Sequence, residues 1–333
     1  MKLPRFEYVR PQSMSEACKT AFGEGPKAQI IAGGTDILPA LKYRLKTPGI
    51  LIDISSVPDL DTITYSEQEG LTVGALVTLR RLAAHKDVRE KYPLLTQAAL
   101  SVGSAQLQAM GTIGGNLCQD ACCIYYNLPS VSRQGLDPCF KLGGGRCHAV
   151  QGSKICHATY SGDMAPALLA LRACVTIADG TGENTIPLNE LYSGRGEAPH
   201  VLEPGRILKG IQVPPPFHNV GIYVKMRIRK SIDYPLLGVA VNLLPNGKDG
   251  ALKDILVGLT GVEKSPLLIT PPDEIKDTYE LEKQTEIMAQ AARSKAHPIA
   301  NTSGYSPRYR REMVSVYVRQ GVLQALEIAA GRG

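Results

Sequence analysis

Cysteine is concentrated in one stretch of this 333-residue chain, from Thr112 to Asp163. The stretch begins with the turn Thr112-Ile113-Gly114-Gly115-Asn116, and an apolar segment typical of a helix follows Asp163. Six of the eight cysteines of the chain lie between these points: Cys118, Cys122, Cys123, Cys139, Cys147 and Cys156. Crowding of this kind requires a chemical explanation.

The redox environment decides between disulfides and metal binding for these cysteines. The N-terminal residues Met1 to Arg5 contain no apolar core of a signal peptide. No stretch approaches 18 uninterrupted apolar residues, so we expect no membrane span. We therefore expect a cytoplasmic location, where clustered cysteines more often bind metal or carry out redox chemistry than form disulfides.

Composition argues against nucleic-acid binding. The formal net charge is +6, and the densest basic runs, 225–230 and 308–311, are typical of solvated surface. The chain has no Trp and only 4 Phe, so it lacks the aromatic platforms on which single-stranded nucleic acids stack.

The hydrophobic pattern predicts an α+β chain in two parts. Ser13-Met14-Ser15-Glu16 is a capping box that opens a helix ending near Gly23, and Ala28–Ala32 is a short buried strand. The residue composition changes at Glu203-Pro204-Gly205. We therefore expect a domain boundary there, with parts 1–203 and 204–333. The second part is predicted as an antiparallel sheet backed by two helices, and its strand-like runs are 207–213, 221–228, 238–244 and 252–259.

Two glycine turns have the composition of anion-binding sites. Gly33-Gly34-Thr35-Asp36 follows a predicted strand and precedes a predicted helix, and Thr112–Asn116 has the same character. Paired glycines let backbone N–H groups approach a phosphate, and a helix N-terminus favours negative charge. Each turn alone is a weak signal. Together they could hold the two phosphates of a pyrophosphate.

In this arrangement the chain resembles the FAD-binding subunits of molybdenum hydroxylases, such as the medium subunits of xanthine dehydrogenase and carbon monoxide dehydrogenase. The resemblance covers nearly the whole chain, and the ordered set of motifs is more specific than any one of them. The motifs are Ala32–Asp36, Thr112–Asn116, Asp163-Met164-Ala165-Pro166-Ala167-Leu168, Lys225-Met226-Arg227-Ile228-Arg229 with Asp233, and Ser306-Pro307-Arg308-Tyr309-Arg310.

The resemblance implies a vanillyl-alcohol-oxidase (PCMH) type FAD domain, followed by the C-terminal flavoprotein domain of these enzymes. The two glycine turns would hold the pyrophosphate and ribityl groups. Asp163 would hydrogen-bond the adenosine side, Leu208 would lie near the flavin or adenine, and Lys225 would approach the isoalloxazine, where a cation stabilises a reduced flavin. The implied cofactor-binding residues are Ile31, Ala32, Gly33, Gly34, Thr35, Asp36, Thr112, Gly114, Gly115, Asn116, Asp163, Leu208 and Lys225.

The cysteine loop, an insertion at about 118–160, departs from most of that family. With its Cys-x-Tyr-Tyr sequence at Cys123–Tyr126, it resembles the flavoprotein subunit of 4-hydroxybenzoyl-CoA reductase, whose loop binds an additional [4Fe–4S] cluster. The resemblance implies the ligands Cys123, Cys139, Cys147 and Cys156.

The number and spacing of these cysteines are also compatible with an iron–sulfur cluster. Four thiolates suit a cubane cluster, and the ligand spacings of 16, 8 and 9 residues contain no Cys-x2-Cys knuckle of the kind common in structural zinc sites. Zinc, disulfides or no metal remain alternatives, and so does Cys122 in place of Cys123. The remaining cysteines, Cys18, Cys118 and Cys174, are predicted to pack in the protein interior. For His148 and His157 a ligand role stays open beside a surface or supporting one.

The resemblance implies an electron-transfer function, and no residue is assigned a catalytic role. A ferredoxin-like donor would reduce the loop cluster, and electrons would pass through FAD and a small [2Fe–2S] subunit to a large molybdopterin subunit, in a dimer of heterotrimers. Two alternatives stay open. The first is an oxidative hydroxylase acting on a purine, N-heterocycle or other aromatic. The second is a non-enzymatic module that binds zinc and nucleotide.

Overall fold

The computed structural model describes residues 2–216, 219–245, 252–271 and 278–330. Its strands are β1 Glu7–Val9, β2 Ala28–Ile31, β3 Ile50–Asp53, β4 Ile63–Ser66, β5 Gly70–Gly74, β6 Cys174–Ala178, β7 Glu183–Pro187, β8 Ile207–Val213, β9 Val220–Met226, β10 Leu237–Pro245, β11 Leu252–Thr260 and β12 Leu267–Ile269. Its α-helices are α1 Met14–Glu24, α2 Ile37–Lys42, α3 Leu79–Ala84, α4 Lys86–Lys91, α5 Pro93–Ser101, α6 Ala105–Met110, α7 Ile113–Leu117, α8 Ser130–Arg133, α9 Met164–Ala170, α10 Thr278–Lys295 and α11 Pro307–Ala330.

Helix α1 begins where the capping box predicts. The Ser13 hydroxyl accepts a hydrogen bond from the Glu16 N–H at 3.2 Å, and the Glu16 carboxylate accepts one from the Gln12 N–H at 2.7 Å. These contacts satisfy N–H groups that the first helical turn leaves without intrahelical partners. The helix buries Ala17 and Cys18 against the first sheet.

The first sheet is parallel, with strand order β1-β3-β2. Its central strand β3 is buried on both faces because helices cover both sides. Ile50 and Ile52 pack towards α1, and Leu51 packs with Ile37 and Leu41 of α2 on the opposite face. This small sheet fixes the end of β2, from which the first glycine turn leaves.

The second sheet includes a strand from beyond the predicted domain boundary. Its strand order is β4-β5-β8-β6-β7, and all its pairs are antiparallel. Strand β8 was predicted to open the second part of the chain, but it lies between β5 and β6 and so belongs to this sheet. The change of composition near residue 203 marks a surface loop, whereas the pairing of β8 depends on partners 29 or more positions away. We therefore propose the boundary after Val213.

The third sheet confirms the predicted antiparallel sheet backed by helices. Its order is β12-β11-β10-β9, and α10 and α11 cover one face. Alternate residues of β10 show this, because Val239, Val241 and Leu243 face the helices while Ala240 faces the first part of the chain. Helix α9 covers that other face so closely that a Cβ atom on Gly258 would overlap the Pro166 carbonyl.

In the described ranges of the chain, no helix is long and apolar enough to cross a membrane.

Candidate functional site

The first glycine turn, residues 32–36, offers free backbone donors. Across the described residues, no hydrogen bond uses the backbone N–H of any residue from Gly33 to Asp36. Gly34 adopts φ +75°, a conformation that favours glycine, and a Cβ atom on Gly33 would overlap the Met110 carbonyl oxygen. The sequence folds this way because only glycine lets the turn lie against the end of α6. Consecutive free N–H groups of this kind form an anion-binding concavity.

The second glycine turn, residues 112–116, differs from the first. It is itself a short helical turn, α7, capped by the Thr112 hydroxyl, which accepts from the Gly115 N–H at 3.0 Å. Three more of its N–H groups are also committed: Ile113 donates to Val77, Gly114 to Ala75 and Asn116 to Thr112, each at 2.9 Å. The sequence suggested equivalent roles for the two turns. In the structure the first turn carries the free donors and the second packs beside it.

The two turns line one cavity of about 740 Å³. Leu208 of β8 lines it, and so do Thr112, Gly114 and Gly115, while their contacts with a cofactor stay predictions. Three basic side chains join them: Lys46, Lys141 and Arg206. Four acidic residues, Asp36, Asp120, Glu197 and Glu203, also line it. The unpaired N–H donors of the first turn, rather than net charge, are therefore what suits a ligand with phosphate groups.

The side chain of Ile31 does not face this cavity. Side chains alternate along a strand, so Ile30 lines the cavity while Ile31 packs with Ile37, Leu41 and Leu51 on the other face of the sheet. A cofactor contact of the Ile31 side chain is not favoured by this packing, and the place of Ile31 among the cofactor-binding residues stays a prediction. Its backbone still leads directly into the first glycine turn.

Asp163 and Lys225 form a buried ion pair outside that cavity. The Lys225 ammonium lies 3.0 Å from the Asp163 carboxylate, with side chains only 4% and 5% exposed. The Tyr223 hydroxyl donates to the same carboxylate at 2.7 Å, and Lys225 also donates to the Ser101 carbonyl at 2.9 Å. Burial raises the pKa of Asp163, and Lys225 and Tyr223 oppose that shift. Direct contacts of Asp163 and Lys225 with a cofactor stay predictions.

Asn116 connects the second glycine turn to this ion pair. Its side-chain oxygen accepts a hydrogen bond from the Met164 N–H at 3.0 Å. Asp163 is the residue that precedes helix α9, so Asn116 holds the start of that helix against the turn. The structure therefore places the second and third family motifs next to each other, although Asn116 and Asp163 are 47 positions apart in the sequence.

A second charged group lies in the cavity wall. The Lys141 ammonium is 2.7 Å from the Asp120 carboxylate, and the Lys46 ammonium is 3.8 Å from it. Burial would raise the pKa of Asp120, but the two lysines outweigh it and the pKa is lowered. The nearby Asp36 carboxyl accepts from the Asp120 N–H at 3.4 Å, and burial raises its pKa.

His200 lies in the same cavity wall and makes the free energy of unfolding depend on pH. Its Nε2 lies 3.2 Å from the Leu117 carbonyl oxygen, and burial lowers the pKa of the ring to about 4. The unfolded chain protonates this residue near pH 6.5, so below that value protonation favours the unfolded state until the folded ring also titrates. We expect His200 to reduce the free energy of unfolding by about 2 kcal/mol between pH 7 and 4.5.

The measurement is urea unfolding of the FAD-free chain at several pH values, for the natural protein and a His200→Gln variant. Glutamine does not titrate, so the variant should lose less stability as the pH falls. Parallel pH profiles for the two proteins would contradict the assignment.

The four predicted cluster ligands line one small cavity. Cys123, Cys139, Cys147 and Cys156 all contribute to it, although they span 34 residues of sequence, counted from 123 to 156. The base of the loop is closed by two hydrogen bonds between Cys122 and Thr159, at 3.0 and 2.8 Å. The fold therefore brings these four thiols together.

Backbone N–H groups point at three of the four sulfur atoms. The Tyr126 N–H donates to Cys123 Sγ at 3.2 Å, the Val150 N–H to Cys147 Sγ at 3.4 Å, and the Ala158 N–H to Cys156 Sγ at 3.5 Å. Such donors stabilise thiolates and tune iron–sulfur clusters. The donor set therefore fits a group that binds four cysteine thiolates.

The adjacent residues Cys122 and Cys123 have different surroundings. Cys123 lines the cysteine cavity, whereas the Cys122 thiol donates to the Asp120 carbonyl at 3.5 Å and is absent from that lining. Cys118 lines the cavity of the glycine turns, and burial raises its pKa to about 12. Cys18 is buried in the core and donates to the Ala178 carbonyl at 3.5 Å. The geometry therefore favours Cys123 over Cys122.

The sulfur arrangement also bears on zinc. In the part of the chain that the structure describes, no three His, Cys, Asp or Glu side chains are placed to bind a single metal ion. This result does not distinguish zinc from a [4Fe–4S] cluster, and both stay proposals for the four cysteines. His148 stacks on Tyr125 and bonds the Asp137 carbonyl, and His157 contacts Ser153.

Sequence reasoning missed several residues of this region. Lys46, Asp120, Tyr126, Lys141 and His200 all line the cavity of the glycine turns. No motif marks them, because they reach the cavity from separate loops. The one available signal was a lysine, Lys141, between two predicted cysteine ligands.

The fold and site define an α+β chain with a phosphate-suited cavity beside a four-cysteine loop. A sequence profile described as the FAD binding domain in molybdopterin dehydrogenase matches residues 4–216. The aldehyde oxidoreductase FAD-binding subunit PaoB of Escherichia coli is 35% identical over 320 residues, covering 93% of this chain and 96% of that one. The carbon monoxide dehydrogenase medium chain of Afipia carboxidovorans is 26% identical over 321 residues, covering 96% of each.

The solved structure of carbon monoxide dehydrogenase from Hydrogenophaga pseudoflava has the same fold, with a TM-score of 0.77 at 23% identity over 98% of this chain and 99% of that chain. The chain belongs to the FAD-binding subunits of the molybdenum hydroxylase family. The predicted PCMH-type fold and FAD as the cofactor are confirmed. The individual cofactor-binding residues stay predictions.

Proposed function

We propose that this chain is an electron-transfer subunit that binds both FAD and a [4Fe–4S] cluster within a molybdenum enzyme. The observation that carries the proposal is the cavity lined by Cys123, Cys139, Cys147 and Cys156, with backbone donors on three of the sulfurs. When bound, the two groups supply one- and two-electron transfer chemistry.

The chain's own residues would hold each group. The free N–H groups of residues 33–36 would bind the pyrophosphate of FAD, with Lys46 and Arg206 adding positive charge along the cavity. Leu208 would pack against the cofactor. The buried pair of Asp163 and Lys225 would fix the position of α9 and β9 beside the site.

The oxidative direction is the better supported one. The 35% identity to an aldehyde oxidoreductase subunit extends over 93% of this chain, and we propose that the holoenzyme oxidises an aldehyde. The second candidate is a reductase of the 4-hydroxybenzoyl-CoA type, which the Cys-x-Tyr-Tyr sequence of the loop favours. In both candidates the substrate site belongs to another subunit.

The partners follow from the same relatives. The name medium chain, printed for the carbon monoxide dehydrogenase relative, indicates larger and smaller companions. We propose a large molybdopterin subunit and a small [2Fe–2S] subunit, assembled as a dimer of heterotrimers. A ferredoxin-like protein would exchange electrons with the cluster of the cysteine loop.

The test is the composition of anaerobically purified protein. We expect about four iron, four acid-labile sulfide and one FAD per chain, as four cysteine ligands and one cavity of this size require. The measurement is iron, sulfide and zinc analysis together with the visible spectrum of extracted flavin.

FAD without iron would reject the cluster and leave the chain a flavin-only subunit. Zinc in place of iron would reject the electron-transfer role of the loop. Activity of the complete complex separates the two directions: aldehyde-dependent reduction of an artificial acceptor supports the first, and viologen-dependent reduction of 4-hydroxybenzoyl-CoA supports the second.

A further inference from the structure

Lys141 lies in the wall between the two cavities. It lines the cavity of the glycine turns and also the cavity of the four cysteines. Its position in the sequence explains this, because it follows the ligand candidate Cys139 by two residues, on a tight turn. That turn is closed by hydrogen bonds from the N–H groups of Leu142 and Gly144 to the Cys139 carbonyl, at 2.8 and 2.9 Å.

The ammonium group of Lys141 is buried and held in place. Its side chain is 4% exposed, and Nζ donates to the Asp120 carboxylate at 2.7 Å and to the Gly196 carbonyl at 2.9 Å. It also lies 5.0 Å above the centre of the Tyr126 ring. A lysine is seldom so buried unless it is paired, so this position is a defined feature of the site.

The contacts of Lys141 lead to both sites. On one side, Asp120 donates its N–H to the Asp36 carboxylate of the first glycine turn at 3.4 Å. On the other side, Gly196 lies against a cysteine sulfur, because a Cβ atom there would be 3.0 Å from Cys156 Sγ. Hydrogen bonds thus connect the first glycine turn through Asp120 and Lys141 to Gly196, which packs beside Cys156.

A fixed charge in such a place acts on electron transfer. Reduction makes a cluster more negative, so a buried cation beside it stabilises the reduced state and a buried anion destabilises it. The Lys141 side chain is almost fully buried, so solvent screens its charge only weakly. The other charged residues near the cysteines include Arg146, which lines their cavity, and Glu197.

We propose that Lys141 and Asp120 set the reduction potential of the loop cluster relative to the flavin, with Lys141 raising it and Asp120 lowering it. This assignment rests on the proposed function, since it requires a cluster at the four cysteines. Lys141 acts through electrostatics and does not bind the cluster.

The test is an anaerobic redox titration of the purified complex, with the cluster followed by electron paramagnetic resonance. Lys141→Met should shift the equilibrium for one-electron reduction of the cluster about tenfold towards the oxidised state, which corresponds to about 59 mV. Asp120→Asn should shift it about tenfold in the opposite direction. Lys141→Arg keeps the charge and should restore most of the natural value.

Lys154→Met is the matched control, because Lys154 lies on the same loop with an exposed side chain. Water screens its charge, so its removal should shift the equilibrium less than about twofold. Iron and FAD content is measured for every variant first. A purely structural role would lower iron content in both the Met and Asn variants without shifts of opposite sign.

The outcomes separate the two proposals. If the natural protein contains no iron, the proposed function fails and this assignment fails with it. If iron is present but Lys141→Met and Asp120→Asn titrate like Lys154→Met, only the role of Lys141 and Asp120 is overturned. If Lys141→Met loses its iron, Asp120→Asn decides the role of these charges. A shift of its cluster towards the reduced state supports the assignment, and a value like that of Lys154→Met overturns it.

Discussion

A Gly33→Ala variant is expected to lose FAD affinity by about 100-fold or more. A Cβ atom at this position would overlap the backbone carbonyl oxygen of Met110, and neither backbone can move without displacing a glycine turn. Overpacking of this kind costs about 3 kcal/mol, and here it falls on the turn with the free N–H donors. The measurement is flavin content after purification, together with titration of the deflavinated protein with FAD.

Gly23→Ala is the control for that experiment. Gly23 lies within helix α1, and nothing in the structure lies within 4 Å of a Cβ atom built on it. Alanine favours a helix, so this variant should keep its FAD and gain a little stability. Natural FAD affinity in Gly33→Ala would show that the first glycine turn is not in contact with the cofactor.

A Cys139→Ser variant is expected to lose the iron–sulfur cluster while keeping its FAD. Cys139 is buried in the cavity of the four cysteines, and its carbonyl also holds the turn that carries Lys141. Serine oxygen is a poor substitute for a thiolate on a cluster iron. We expect iron to fall to less than about a tenth of the natural content, measured beside the flavin.

Cys174→Ser provides the matched comparison, since Cys174 lies on β6, outside the loop. It should retain full iron and FAD. Cys122→Ser should also retain iron, because its thiol is absent from the cysteine cavity. Unchanged iron in Cys139→Ser would show that the ligand set is wrong.

Local signals in the sequence predicted most of the secondary structure. Helix α1 begins at its capping box, and α3 begins at Leu79 directly after Thr78, whose hydroxyl accepts from the Arg81 N–H at 3.3 Å. These signals work because the caps bind N–H groups only a few residues away. The glycine turns were found for the same reason, since the backbone conformation of Gly34 is a local property.

Non-local arrangements could not be predicted in this way. The position of β8 in the second sheet depends on pairing with β5 and β6, and the texture of the sequence near residue 203 carries no information about those partners. Likewise, the sequence gives two similar glycine turns, yet only the folded chain commits the N–H groups of the second to Val77 and Ala75. The role of Lys141 depends on its position between two cavities, and those cavities exist only in the folded chain.

The buried ion pair of Asp163 and Lys225 connects the two parts of the chain. Asp163 belongs to the segment matched by the FAD-binding profile, but Tyr223 and Lys225, which neutralise and bond it, come from β9 beyond that segment. Separation of the two parts would leave a carboxylate buried without its cation, which is strongly unfavourable. Fragments cut near residue 216 would therefore each lack one member of this charge pair. The start of helix α9, which lies beside the second glycine turn, would lose a stabilising contact that β9 supplies.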